Sequence, residues 1–154
     1  MIAVLQRVSK AKVKIESETY SEIERGLLVL LGVERGDTEK DVNYLVKKII
    51  ELRIFNDQNG KMNRSLMDIG GSMLVVSQFT LPADIRKGRR PSFNRSADPE
   101  TGEMLYQAFI TAARACQVDV KTGVFGAMME IELINDGPVT IIADSKEAVR
   151  NTQD

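Results

Sequence analysis

Residues 26–34, GLLVLLGVE, are a continuous apolar run with a glycine at one end and a carboxylate at the other. A strand with one wet face alternates apolar and polar side chains; a run without alternation is buried on both faces. The run is far too short for a membrane span, which needs about 20 residues. A second run of the same kind, Met73-LVVSQFTL-Pro82, stops at a proline. Doubly buried strands need cover on both sides, so the rest of the chain is read for what supplies it.

Upstream, Ile2, Val4, Gln6 and Val8 alternate, and Val13 and Ile15 do so again, predicting strands. Downstream of the first run, Asp37 or Thr38 can cap a helix in which Val42, Leu45, Val46, Ile49 and Ile50 recur at helical spacing. Lys47, Lys48 and Glu51 fall on its other side. FNDQNG at 55–60 has the composition of a turn. Asp98-Pro99-Glu100 is a helix start: a capping aspartate, proline in the first turn, and an acid near the positive end of the helix. Its inward stripe is read as Leu105, Ala108, Phe109, Ala112 and Cys116. Strands are predicted again at 118–121, 128–135 and 139–143, and the polar tail from Asp144 frays or forms a short last helix. The order β-β-β-α-β-α-β-β-β has too few helices between strands for a doubly wound parallel sheet. It predicts an α+β or mixed α/β fold: a single compact domain over 1–154, with a mixed, barrel-like sheet and two main helices.

At 154 residues the chain can bury a real core. A hydrophobic content of 43% with 28% charged residues fits a globular protein rather than a disordered or fibrous one. There is no 20–50-residue repeat or low-complexity segment. No basic leader precedes the first apolar residues, and the one cysteine, Cys116, fits a reducing compartment, so a cytoplasmic location is expected. Cys116 is expected in the core rather than as a nucleophile, because no histidine exists to take its proton.

The absence of histidine governs the chemistry. A Ser-His-Asp triad, a Cys-His pair and a histidine-ligated zinc hydrolase are all excluded. No nucleophile elbow, phosphate loop or dinucleotide fingerprint occurs, and no metal or cofactor is implied. Glu16, Glu18, Glu22 and Glu24 alternate along a hairpin as a solvated strand face. An enzyme built on this chain must use backbone dipoles, hydroxyls, amides or the substrate itself.

Two segments remain. In Ser77-Gln78-Phe79-Thr80 an apolar strand gains three hydrogen-bonding side chains at its end; it is either a strand running into solvent or a strand-end site. In Asn135-Asp136-Gly137-Pro138-Val139-Thr140, Asp-Gly-Pro reads as the turn of a hairpin. Net charge is only −1, but Ile85 to Arg95 holds Arg86, Lys87, Arg89, Arg90 and Arg95 with no acid, a local patch able to engage phosphates.

SQFTL at 77–81 and NDGPVT at 135–140 resemble the two signature motifs of the D-aminoacyl-tRNA deacylase family. The opening MIAVLQRV, the KGRRPSF loop from Lys87 and GVFGAMM from Gly123 extend the resemblance over essentially the full length. It implies an enzyme that hydrolyses the ester joining a D-amino acid to the terminal adenosine of tRNA, and that also cleaves glycyl-tRNA. It implies a homodimer with active sites at the subunit interface. Gly137-Pro138 would be a cis dipeptide inserted into the partner's site, where its carbonyls exclude an L side chain. Ser77, Gln78, Phe79 and Thr80 would line the pocket, Phe125 and Met129 would lie near the adenosine, and Arg7 would support the dipeptide. Arg86, Lys87, Arg89 and Arg90 are candidate tRNA contacts. Two mechanisms are open: Thr80 as nucleophile, or the substrate's ribose 2′-hydroxyl activating water, with backbone N–H groups of Phe79 and Thr80 as oxyanion donors. The second is preferred, since no evident base serves Thr80. Rival readings are a non-catalytic nucleic-acid-binding module using loop 86–95, a synthetase editing module, and an esterase for small D-amino acid esters.

Overall fold

The apolar run at 26–34 becomes the strand β3, Gly26–Gly32, and its two faces meet two different cores. In the computed structural model, which describes residues 1–147, Leu27, Val29 and Leu31 point to one core and Leu28 to the other. The remaining elements, in chain order, are β1 (Ile2–Ile15), β2 (Glu18–Ile23), α1 (Glu39–Glu51), β4 (Phe55–Asn56), β5 (Met62–Arg64), β6 (Ser72–Ser77), α2 (Pro99–Ala115), β7 (Asp119–Thr122) and β8 (Glu130–Asp144). β3 pairs antiparallel with β1 and parallel with β6, which pairs in parallel with β7. β1 also pairs with β2 and, along nearly its whole length, with β8. The result is a mixed six-stranded sheet in a single compact domain.

The sheet curls until it nearly closes. β2 swings round toward β7, where Ser21 Oγ donates 2.6 Å to the Thr122 carbonyl. Inside the curl lie Val8, Ala11, Val13, Ile23, Leu28, Leu74 and Val76. Outside it, α1 and α2 pack together over the opposite face through Val42, Leu45, Ile49, Leu105 and Phe109. Burying each of the valine, leucine, isoleucine and phenylalanine side chains among these contributes about 1.5–3 kcal/mol, so both layers hold β3 in place. The close β3–β6 pairing requires glycine at position 26, where a Cβ would come 1.8 Å from the Ser72 carbonyl oxygen.

Several details depart from the sequence reading. The two short strands expected at 2–8 and 13–15 are one strand, β1, and its buried side chains are Ala3, Leu5 and Arg7 before they shift to Val8, Ala11 and Val13. FNDQNG holds a short strand, β4, ahead of its turn, paired with β5. The run from Met73 leaves strand geometry after Ser77, four residues before Leu81. The expected strands 128–135 and 139–143 are a single strand, β8, so Asn135–Thr140 is no hairpin. The α2 stripe is Leu105, Tyr106, Phe109, Ile110 and Ala113, with Ala108, Ala112 and Cys116 only partly buried beside it. Thr38 rather than Asp37 caps α1, in a capping box with Asp41. Asp144 ends β8 and Ser145 is buried; the expected final helix falls mostly outside the described residues. No described helix is long and apolar enough to cross a membrane.

Candidate active site

Where β6 ends, its ladder continues one residue through Gln78 N–H to the Leu31 carbonyl (2.8 Å), then breaks into a turn. In that turn Leu81 donates to the Gln78 carbonyl and Ala83 to the Thr80 carbonyl. Ser96 Oγ donates 2.7 Å to the Phe79 carbonyl and pins the turn from outside. The N–H groups of Phe79 and Thr80 donate to no other described residue. Adjacent unpaired amides at a strand end are what an oxyanion or carbonyl oxygen requires.

The turn borders a cleft of about 540 Å³ lined by Ser77, Gln78 and Phe79 on one side and Phe125, Met128 and Met129 on the other. Its wall is the first turns of α2, with Asp98, Pro99, Gly102 and Tyr106, and its floor includes Leu31, Val33 and Val76. Asp98 is the one acid in the lining; its bond from the Thr101 amide (3.0 Å) caps α2 and holds the carboxyl below its ordinary range. Phe125 is set over Gly102, where a Cβ would come within 3.5 Å of the ring, and against Tyr106 at 5.8 Å between centroids. The Tyr106 hydroxyl donates 2.9 Å to the Val75 carbonyl, and burial pushes its phenol up to about 12. It therefore stays a neutral donor and cannot act as a base near neutral pH.

Thr80 adjoins the cleft rather than lining it. Its hydroxyl accepts 2.6 Å from Gln78 Nε2, an amide donor, and no described carboxylate or amine bonds to it. The geometry gives Thr80 a positioned oxygen and no base.

Arg7, Gly137 and Pro138 form a second place, outside this cleft. β8 pairs with β1 at Thr140↔Gln6 and Asn135↔Val8, so the four residues Asp136–Val139 stand opposite Arg7 alone. Such a bulge throws backbone outward from the sheet. Gly137-Pro138 is exposed at its crest, joined by a cis peptide bond. Arg7 is 6% exposed and anchors the bulge: Nε donates to the Asp136 carbonyl (3.0 Å) and Nη1 to the buried Ile54 carbonyl (2.7 Å). Asn135 Nδ2 ties the carbonyls of Arg7 and Val139 together, each at 3.0 Å. Gly137 has φ +125°, and a Cβ there would come 2.6 Å from Arg7 Nη2.

The basic loop is less charged than its sequence suggests. Arg86 forks onto Asp84, and Arg95 binds the buried Glu34 at 2.6 Å. Lys87, Arg89 and Arg90 stay exposed, with no ion pair among the described residues. Asn135, Ser96 and Tyr106 carry structural duties here that sequence reading did not assign. The signal for Asn135 lay inside the NDGPVT motif, whereas Tyr106 looks like any core aromatic.

The D-aminoacyl-tRNA deacylase of Thermosipho africanus is 56% identical over 147 residues, covering 96% of this chain and 99% of that one. That of Thermus aquaticus is 54% identical over 151 residues, covering 98% and 99%. A solved structure described as a c-Myc DNA unwinding element binding protein superposes with TM-score 0.89 at 41% identity, covering 94% of this chain and 98% of that one. A probable eukaryotic D-amino acid tRNA deacylase shares the fold, with TM-score 0.78 at 20% identity and coverage of 92% and 97%. The protein is thus a hydrolase of the class that cleaves the ester bond of aminoacyl-tRNA. Residues 4–144 match the family model for D-Tyr-tRNA(Tyr) deacylase, and the chain belongs to that family. Its activity is that of a D-aminoacyl-tRNA deacylase.

Proposed function

We propose that the cleft between the β6 turn and α2 holds the terminal aminoacyl-adenosine, and that a homodimer completes the site. The observation carrying this is the convergence of Ser77, Gln78, Phe79, Phe125 and Met129 on one cleft, beside the unpaired Phe79 and Thr80 amides. Phe125 and Met129 offer an apolar face to adenine, and the two amides receive the ester's carbonyl oxygen as it gains charge. Water adds to the carbonyl carbon, the bond to the ribose 3′-oxygen breaks, and a proton passes to that oxygen. The 2′-hydroxyl beside it positions and activates the water, since no base among the described residues bonds the Thr80 hydroxyl.

Handedness is read by the Gly137-Pro138 crest of the partner subunit. Backbone oxygens in the place of an L side chain exclude it by contact; a D side chain points away and glycine has none, so glycyl-tRNA is a substrate too. Two features support a dimer. The crest lies outside its own chain's cleft, and among the described residues β8 pairs only with β1, leaving its other edge open. A long open edge is normally covered. The reaction belongs to the cytoplasm, where charged tRNA is used.

Deacylation of D-Tyr-tRNA, L-Tyr-tRNA and Gly-tRNA tests the reading: the first and third are cleaved and the second is not. Equal cleavage of D and L forms overturns the gate. In single turnover, Thr80→Ala is expected to stay within about tenfold of the parent, while a substrate ending in 2′-deoxyadenosine loses several orders of magnitude. The converse pattern establishes Thr80 as nucleophile. A nucleic-acid-binding role without catalysis has one observation in its favour, the description of the 41%-identical structure as a DNA unwinding element binding protein. Retained tRNA binding with no deacylation of any substrate would favour it.

A further inference from the structure

At the rim of the cleft, Phe79 is 61% exposed, an unusual position for a phenylalanine next to a strand end. It does not stand alone. The ring of Phe93 meets it edge to face, with centroids 5.2 Å apart and planes at 64°, and Phe93 is itself 38% exposed. Both rings are held by backbone. Ser96 fixes the Phe79 carbonyl, and Asp84 and Ser92 exchange two hydrogen bonds, 2.8 and 2.9 Å, next to Phe93. That exchange closes the loop whose tip carries Lys87, Arg89 and Arg90. Asp84 and Glu34 pair with Arg86 and Arg95, so Lys87, Arg89 and Arg90 remain exposed on the loop that ends beside Phe93, with no ion pair among the described residues.

We infer that the Phe79–Phe93 pair and this tip form a platform for the single-stranded nucleotides preceding the terminal adenosine of the substrate. The inference rests on the cleft holding that adenosine. Phe79 belongs to both the cleft lining and the exposed pair, so a strand leaving the cleft passes over the rings before it reaches the cations. Rings that stack on any base, beside cations that track phosphates, are how proteins hold single strands without reading sequence. A protein partner of the same patch would want acidic or apolar groups. A nucleic-acid strand uses both halves at once, the rings for its bases and the cations for its backbone.

The test uses Phe93→Ala, Phe93→Tyr and the double variant Arg89→Ala/Arg90→Ala in the full-length protein. Binding is followed by anisotropy of a labelled, uncharged RNA hexamer ending in CCA, and of the same hexamer with an abasic penultimate position. Phe93→Ala should weaken the intact hexamer about tenfold or more, within the range for one stacked base, and Phe93→Tyr should restore it. The abasic hexamer should bind parent and Phe93→Ala alike. The arginine variant should flatten the salt dependence, lowering the slope of log K against log salt by roughly 0.7 for each phosphate it no longer neutralises. Catalytically, the ratio of kcat/KM on D-Tyr-tRNA to that on the D-tyrosyl ester of adenosine should fall about tenfold in Phe93→Ala. The platform is overturned if Phe93→Ala binds the intact hexamer like the parent, or if the two catalytic values fall together. If the parent cleaves neither substrate, the assignment of the cleft fails, and the hexamer measurements still decide the platform.

Discussion

Glu34 is 1% exposed and bonded to Arg95 at 2.6 Å and Lys146 at 2.8 Å, with the Met1 ammonium at 3.6 Å. Burial alone would push its carboxyl up, but hydrogen bonds from Lys146 and Arg95 and the nearby positive charges bring it below its ordinary value near 4.5. Asp41 is lowered likewise: burial opposes, while bonds from Ser145 and Thr38 prevail. A carboxyl depressed in the folded state contributes stability that is complete above its ordinary value and lost as pH falls through the folded one. Thermal stability is therefore expected to hold down to about pH 4.5 and then decline. Glu34→Gln should lower stability at pH 7 by about 1–2 kcal/mol, because the charge-assisted bonds from the half-exposed Arg95 and Lys146 are weakened, and should shrink the acid-induced loss. Denaturant melts at pH 7 and pH 4 measure both; an unchanged acid limb in Glu34→Gln would assign it to other carboxylates. Gly137→Ala faces a positive φ and the Arg7 guanidinium at once. It should lower D-Tyr-tRNA deacylation at least tenfold and relax D over L preference, while the midpoint of thermal unfolding shifts by only a few degrees. A variant with full activity and intact discrimination would remove the crest from the mechanism.

Among the elements, α1 and α2 are the most legible in the sequence. Their caps use short-range chemistry: Thr38 with Asp41, Asp98 with the Thr101 amide. Thr38→Ala should lower stability by about 1 kcal/mol and leave deacylation as it was, since the α1 cap lines no part of the cleft. Strands are legible where burial is double-sided, as in β3, and hidden where pairing partners decide. Nothing between 128 and 143 announces a single strand, because Asp-Gly-Pro has turn chemistry and the bulge exists only in register with β1. The phase of β1 is hidden for a related reason. Arg7 looks like an outward residue, yet its guanidinium finds carbonyl acceptors at Ile54 and Asp136 that lie 47 and 129 positions away. Gly26 is a third such case: only the approach of Ser72 makes a side chain impossible, and Gly26→Ala should destabilise by more than about 3 kcal/mol or prevent folding, as a chemical-denaturation curve would reveal.

For the whole molecule, the barrel-like mixed sheet and its two-helix cover follow from the order of elements, whereas the near closure through Ser21 and Thr122 does not. The cleft is legible in part. The tetrapeptide Ser77–Thr80 marks its polar rim, but the wall from α2 depends on how the helix lies across the sheet, which no local pattern encodes. Assembly belongs to this scale as well. Ile134 and Ile142 are exposed on β8 at 61% and 71%, beside an unpaired edge. If the proposed dimer forms through this edge, Ile142→Lys should shift sedimentation from dimer toward monomer and reduce deacylation in proportion to the dimer lost; a fully active monomer would end the shared-site reading.

A deletion of one residue anywhere in Asp136–Val139 would do more than shorten a loop. Ahead of the bulge, Ile131 and Leu133 face the inner core; beyond it, Ile141 and Ala143 face the helices. Strand side chains alternate with a period of two, so losing a single position can turn Ile141 and Ala143 to solvent and Ile142 to the core. The segment therefore acts as a spatial reading frame for the last third of β8. Relatives of this chain should tolerate varied side chains around the crest far more readily than a change in its length.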